Sequence, residues 1–225
     1  MTELYIACGF RCFCIEEIKS RFKVNQPSLP FDFGLFTTKS IIKFLEKEEL
    51  NINITNTAPC IKTENFHNNN MLGIKFEKSS YDHMEDFIKK NDFDNGKLSY
   101  TRHPTKSIEM GYLDSTKGYY TLCEDYGFVL AHYNWHKSSS PEKNKGVTDP
   151  EENTKNVSSL LSRRKDRLLD MIDNSEKINL CYLNRQNYEF MQIDEDSYSL
   201  SKDLNLLKSY FQSKFQNKSF EILYL

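Results

Sequence analysis

The 225-residue sequence lacks an excess of charge of either sign, a long apolar run and a recognisable secretion signal. Its 30 basic residues oppose 32 acidic ones, so no overall positive field attracts nucleic acid or anionic lipid. No stretch approaches the length of a membrane span, and the first residues lack the basic and apolar regions of a signal peptide. We therefore expect a cytoplasmic protein with no nucleic-acid partner and no membrane partner.

Two glycine-rich phosphate-binding motifs are also missing. Neither Gly-x-x-x-x-Gly-Lys-Ser/Thr nor Gly-x-Gly-x-x-Gly occurs, which removes the main support for nucleotide hydrolysis and dinucleotide binding. The six cysteines stand in a chain without a secretion signal, so we predict thiols and not disulfides. Cys8, Cys12 and Cys14 do not have the usual spacing of a zinc site. We therefore expect no metal and no cofactor.

The sequence does contain enough apolar material for a core. Hydrophobic residues make up 38% of the chain, while 28% charged residues and a mean hydropathy of -0.66 indicate a well-solvated surface. Strand-like runs alternate with helical periodicities, which predicts an α/β fold with a mainly parallel sheet and flanking helices, in a single domain over residues 1–225. Residues 50–70 are predicted to be a polar excursion and residues 137–153 an exposed loop. The predicted strands cover residues 4–8, 72–76, 118–123, 127–132, 178–183 and 220–225, and the predicted helices end near residues 22, 45, 88, 172 and 215.

Cys12 is the best candidate for a chemical site, because it follows the first predicted strand and falls in the first turn of the next helix. Functional groups gather at the carboxyl ends of strands in open α/β sheets. Unpaired backbone amides, the helix dipole and the neighbouring Arg11 all favour a thiolate there. The alternatives are a core cysteine without chemistry, or a redox site in which Cys14 resolves a sulfenic acid formed on Cys12.

A cysteine nucleophile also requires a base and often a group that fixes the imidazole tautomer. His132 ends the predicted strand 128–131, and Asn184 and Arg185 follow the predicted strand 178–183. If these strands are parallel neighbours of the first predicted strand, the side chains at the strand ends lie on one rim of the sheet. These side chains are Cys12, His132, Asn184 and Arg185. Asn134 or Asn184 then orients the imidazole, whereas the alternative for His132 is a buried structural role.

The densest basic run of the sequence contains Arg163 and Arg164. One interpretation is the solvated face of an amphipathic helix. The other is an anion site, because arginines bind phosphate and carboxylate groups through two hydrogen bonds. In that case Arg163, Arg164 and Arg185 bind a phosphorylated or sugar-nucleotide ligand at the strand ends.

Most of the chain resembles a family described as papain-like cysteine peptidases, and the resemblance is specific around residues 9–12 and 28–33. Gly9-Phe10-Arg11-Cys12 is similar to the family's Gly-x-x-Cys turn before a helix, and Ser28–Phe33 is similar to its Pro-Phe-Asp-Trp segment, with Phe33 in place of the tryptophan. The strand leading to His132 and the helix with the Arg-Arg pair are similar as well. The resemblance implies that Cys12 is the nucleophile and His132 the base. It also implies that Pro30, Phe31 and Asp32 shape the adjacent wall, and we assign Gly9 and Arg11 of the turn to ligand binding.

Asp32 lies between two aromatic residues in a turn, where it either caps the chain's entry into the next helix or orients the imidazole of His132. Three functions stay open from the sequence. The first is a cysteine-dependent hydrolase or acyl-transfer enzyme that acts on a peptide or an anionic small molecule. The second is a domain that binds an anionic small molecule, and the third is a non-catalytic interaction module.

Overall fold

The computed structural model describes residues 3–8, 12–62, 66–68, 71–78, 120–135, 150–183, 188–193, 196–199 and 203–225. Within them, helices and two sheets form an α/β structure. The strands are β1 (Glu3–Ala7), β2 (Gly34–Leu35), β3 (Thr57–Lys62), β4 (Phe66–Asn68), β5 (Met71–Lys78), β6 (Tyr120–Cys123), β7 (Phe128–Asn134), β8 (Lys177–Tyr182), β9 (Phe190–Ile193), β10 (Asp196–Ser199) and β11 (Ser219–Tyr224). The helices are α1 (Phe13–Phe22), α2 (Thr38–Glu46), α3 (Pro150–Asp173) and α4 (Leu204–Lys214), with 3₁₀ turns at Pro30–Phe33 and Ile54–Asn56.

The smaller sheet has the strand order β1-β8-β11 and is parallel throughout. Ala7 of β1 and Leu223 of β11 both pair with Cys181 of β8, so the carboxyl ends of the three strands meet at one edge. Its strands are the predicted strands 4–8, 178–183 and 220–225, which were recognised because each is followed or preceded by a helical periodicity. Helix α1 packs on β1 and β8, and α4 packs on β11.

The larger sheet has the order β10-β9-β5-β3-β6-β7-β2, and β4 pairs with residues 71–73 at the start of β5. All of its pairs are antiparallel except β5 with β9. The expectation of a mainly parallel sheet therefore describes only the smaller sheet. Strands β6 and β7 form a hairpin whose turn ends at Gly127 with a φ of 69°, a value that glycine adopts without strain. No helix separates these two strands, so no parallel crossover forms.

Two segments that were predicted to be loops contain regular secondary structure. Residues 57–62 of the predicted polar excursion form β3, which lies between β5 and β6 and buries Ala58 and Cys60. The strand was not predicted because the segment is rich in Asn and Thr, which are typical of turns. Two of these residues, Asn53 and Asn56, do cap the preceding turn. Helix α3 begins inside the predicted loop 137–153. The rest of that loop and the helix predicted to end near residue 88 lie outside the described residues.

The main hydrophobic core contains side chains from both sheets and from α2, α3 and α4. Phe31, Phe36, Phe44 and Phe128 pack together there, with ring centroids 4.4–6.3 Å apart. Close-packed aromatic rings of this kind contribute beyond the area they bury. The Pro30–Phe33 turn is therefore anchored in the core by its second residue. Among the described helices, none has the length and apolar character needed to cross a membrane.

Candidate functional site

Cys12 stands at the N-terminus of α1, where the sequence analysis predicted it. It is the N-cap residue, and its carbonyl oxygen accepts the first helical hydrogen bond, from the N–H of Glu16 at 3.3 Å. Cys12 is partly exposed, whereas the other five cysteines are buried, and none of the six is in a disulfide bond. Cys12 is therefore the most accessible of the six cysteine residues.

Two contacts to Cys181 fix the position of Cys12 over the carboxyl ends of β1 and β8. The N–H of Cys8, directly after β1, donates to the carbonyl oxygen of Cys181 at 2.7 Å. The Sγ of Cys14, in the first turn of α1, donates to the same oxygen at 3.2 Å. The first turn of α1 thus rests on the edge of the sheet at which β1 and β8 end.

The thiols of Cys8 and Cys181, beneath this turn, are poor nucleophiles. Burial raises the pKa of Cys8 well above its ordinary value, and the neighbouring Cys14 and Cys181 raise it further. Burial and Cys14 raise the pKa of Cys181 in the same way. A thiol attacks only as its thiolate, so these groups are poor nucleophiles at neutral pH. Within the described part of the chain, no group of three or more Cys, His, Asp or Glu residues is arranged to hold a metal ion.

Asp32 is a buried carboxyl group that titrates near neutral pH. Its residue is 1% exposed, and its Oδ2 accepts a hydrogen bond from the backbone N–H of Leu29 at 2.8 Å. Burial raises the pKa of Asp32 to about 6, against the opposing effects of that hydrogen bond and of the charges of Arg164 and Lys19. Its Oδ1 accepts no hydrogen bond from any described residue. The carboxyl group thus stabilises the turn through one oxygen only.

The arginines of α3 act on the same turn. The charge of Arg164 lowers the pKa of Asp32, and Nη1 of Arg167 donates to the carbonyl oxygen of Ser28 at 2.9 Å. Arg163 is exposed. These contacts give Arg164 and Arg167 a structural role in holding α3 against the Pro30–Phe33 turn. Binding of an anion by Arg163, Arg164 and Arg185 stays a prediction.

His132 lies in β7, which belongs to the larger sheet and is not a parallel neighbour of β1. The condition for a shared rim, that the strand of His132 is a parallel neighbour of β1, is therefore not met, because hairpin pairing placed β7 in the other sheet. Strand β7 continues to Asn134, two residues beyond His132. Leu130 pairs antiparallel with Gly34, the residue after the Pro30–Phe33 turn, and β7 also packs against that turn. The backbone of His132 is thus close in space to the turn that contains Asp32.

Four other predicted site residues lie outside the described residues. Gly9 and Arg11 belong to the connection between β1 and Cys12, and Asn184 and Arg185 follow Leu183 at the end of β8. Because β1 and β8 are parallel neighbours, the two connections begin at the same edge of the smaller sheet. The condition of the rim prediction is thus met for β1 and β8, and the placement of these four residues stays a prediction.

Two residues with a part in this region were not singled out from the sequence. The side chain of Gln26 accepts from the N–H of Tyr5 at 3.4 Å and donates to its carbonyl oxygen at 2.6 Å, in the manner of a neighbouring strand. Lys19 of α1 contributes positive charge near Asp32. Neither has a sequence signal, because both contacts depend on how the chain after α1 turns back against β1.

Comparisons with known proteins found no matching family model, no matching curated protein and no matching solved structure.

Proposed function

We propose that this protein is a cysteine-dependent hydrolase or acyl-transfer enzyme whose nucleophile is Cys12. The observation that carries the proposal is the contrast between Cys12 and the other five cysteines. Cys12 alone is partly exposed, and it stands at the N-terminus of a helix above the carboxyl ends of two parallel strands. The dipole and the unpaired amides of the first turn favour a thiolate at this place.

His132 serves as the general base in this proposal, and Asp32 orients its imidazole. Two observations support the pair: β7 runs beside the Pro30–Phe33 turn, and Oδ1 of Asp32 accepts no hydrogen bond from the described residues. A buried carboxylate that accepts the Nδ1–H of a histidine fixes the tautomer in which Nε2 can take a proton. Asn184, which follows β8, is the alternative orienting group.

The reaction proceeds in two steps, acylation of Cys12 and transfer of the acyl group to a second nucleophile. The Cys12 thiol passes its proton to the imidazole of His132, and the sulfur attacks the carbonyl carbon of an ester, thioester or amide substrate. The leaving group takes that proton as it departs, which leaves an acyl group on Cys12. Water or another nucleophile then transfers its proton to the imidazole and attacks the acyl carbon, and the imidazole returns that proton to the departing sulfur of Cys12. Hydrolysis and acyl transfer differ only in this second nucleophile.

The pH dependence of Cys12 alkylation by iodoacetamide tests the proposal. Peptide mass spectrometry on the native protein measures the rate at each cysteine, and the five buried cysteines serve as internal controls. We expect Cys12 to react with an apparent pKa well below the free-thiol value of about 8.5, and at least about tenfold more slowly at neutral pH in His132→Ala. An apparent pKa of about 8.5 or above, unchanged in His132→Ala, would overturn the proposal.

A further inference from the structure

A cavity lies between the chain after α2 and the middle of α3. Its volume is about 300 Å³, and its lining residues are Glu48, Glu49, Leu50, Ser162, Lys165 and Asp166. Lys165 is 5% exposed, whereas the three acidic residues of the lining are exposed. The lysine is therefore on the inner side of the cavity and the carboxylates are on its outer side. We call it the Lys165 cavity.

Lys165 is a buried amine with little compensation for a positive charge. Its Nζ donates a hydrogen bond to the carbonyl oxygen of Lys47, the residue after α2, and lies 5.9 Å from the centre of the Phe44 ring. No described residue forms an ion pair with it. A buried ammonium group normally has a carboxylate partner, whereas a neutral amine can donate the same hydrogen bond and keep its lone pair.

The charges that face Lys165 come from three parts of the chain. Burial lowers the pKa of Lys165 and the charge of Lys214 on α4 lowers it further, while Asp166 on α3 and Glu48 after α2 oppose these effects. The Nζ of Lys214 is held in place by donation to the carbonyl oxygen of Leu45 at 2.9 Å. Lys165 is therefore shifted toward the neutral form, which is the form of an amine that attacks a carbonyl carbon.

A structural role explains part of this arrangement. Lys165 and Lys214 both donate to carbonyl oxygens at the end of α2, as basic residues at a helix C-terminus commonly do. Such a role requires neither a cavity beside the amine nor burial of the lysine without a carboxylate partner. A volume of about 300 Å³ is at the lower end of the range of small-molecule sites. The cavity thus has room for a small ligand next to the amine.

We propose that Lys165 is a covalent site for a small, uncharged or cationic aldehyde or ketone, with which its Nζ forms an imine in the Lys165 cavity. The nitrogen lone pair attacks the carbonyl carbon, and one proton moves from nitrogen to oxygen. The C–O bond then breaks as the second proton moves from nitrogen to the departing oxygen, which leaves as water. Glu48 and Asp166, whose charges act on Lys165, are the carboxylates that carry these protons.

The charge of the lining determines the substrate class. With Lys165 neutral, the carboxylates of Glu48, Glu49 and Asp166 make the cavity negative, so an anionic carbonyl compound is repelled. This inference goes beyond the proposed function and is independent of it, since no step at Lys165 uses Cys12.

Reductive alkylation of the native protein tests the inference. Acetaldehyde forms the imine, sodium cyanoborohydride reduces it to an ethylamine, and peptide mass spectrometry gives the initial rate at each lysine. The internal control is Lys155, an exposed lysine of the same helix. We expect Lys165 to react at least about tenfold faster than Lys155 at pH 7, because a neutral amine in a cavity combines nucleophilicity with proximity. An equal or lower rate at Lys165 overturns the inference.

Denaturing urea separates an effect of the fold from an effect of the local sequence. In urea the ratio of the two rates should fall to about one, because the cavity and the burial of Lys165 are lost. A preference for Lys165 that persists in the unfolded chain would come from its sequence neighbours and would overturn the inference.

Glyoxylate, an anionic aldehyde, tests the substrate class. The ratio of the rate at Lys165 to that at Lys155 should be at least about threefold lower with glyoxylate than with acetaldehyde. Glu49→Gln should raise the glyoxylate ratio, whereas the matched variant Glu152→Gln, at an exposed position of α3, should leave it unchanged. A glyoxylate ratio equal to the acetaldehyde ratio, or no difference between the two variants, overturns the assigned class. Circular dichroism confirms that both variants are folded.

Discussion

The carboxylate of Asp32 accepts the backbone N–H of Leu29 at 2.8 Å in a site where burial raises the pKa of that carboxyl group to about 6. The hydrogen bond closes the Pro30–Phe33 turn, and this turn contacts β1, β7 and α3. The protein therefore keeps a costly buried acid at the point where its two sheets and its longest described helix meet. A carboxyl group that titrates near neutral pH is also suited to tune a neighbouring imidazole.

The first prediction concerns the pH dependence of stability. Because the pKa of Asp32 is raised on folding, from 3.8 to about 6, its contribution is fully present below pH 3.8 and is lost as the pH rises through 6. Asn keeps the acceptor for Leu29 but does not ionise. The difference in unfolding free energy between Asp32→Asn and the parent protein should therefore rise by about 2–3 kcal/mol from pH 4 to pH 8, measured by urea unfolding. A difference that is constant with pH would contradict the raised pKa.

The smaller sheet was predictable from the sequence, and the larger sheet was not. Each strand of the smaller sheet is a short apolar run next to a helical periodicity, which is a local signal. Membership of the larger sheet depends on pairings between distant segments, such as Gly73 with Phe190 and Thr57 with Cys123. Periodicity carries no information on which distant strands pair, although the four-residue connection between β6 and β7 is too short for a parallel crossover.

The candidate site also has one part that was predictable from the sequence and one part that was not. The strand, turn and helix around Cys12 are contiguous in sequence, so its position at the helix N-terminus was predicted. The surroundings of Asp32 combine Leu29, Lys19 and Arg164, the last of them 132 residues away. From the sequence, Asp32 was predicted only to cap the turn or to orient the imidazole of His132; its burial and its raised pKa were not predicted, because Arg164 is so distant in sequence.

The second prediction concerns the contact between β5 and β9. Gly73 pairs with Phe190, and a Cβ atom at position 73 would lie 2.2 Å from the Phe190 ring. Gly73→Ala should therefore lower the unfolding free energy by about 1–3 kcal/mol, because the ring must leave its position. In the Phe190→Ala background the same substitution should have a smaller effect, and chemical denaturation of the four proteins measures this coupling. Equal effects in both backgrounds would contradict the contact.

The third prediction separates the structural cysteines from Cys12. Cys14 is 1% exposed and its Sγ donates to Cys181, so Cys14→Ala should lower the unfolding free energy by about 1–2 kcal/mol. Cys12→Ala removes a partly exposed side chain and should change it by less than about 0.5 kcal/mol. Urea unfolding of both variants measures the two values. A larger loss for Cys12→Ala than for Cys14→Ala would assign Cys12 to the core and weaken its chemical role.

The last prediction concerns the edge of β1 that does not pair with β8. The Gln26 amide replaces a neighbouring strand by pairing with both backbone groups of Tyr5, so Gln26→Ala leaves an N–H and a carbonyl oxygen without their partner. The unfolding free energy should fall by about 1–2 kcal/mol, and the amide proton of Tyr5 should exchange faster with solvent. Gln212→Ala is the matched control, because Gln212 is exposed on α4. If the two variants have equal stability and Tyr5 exchange is unchanged, then β1 does not depend on Gln26 for its edge.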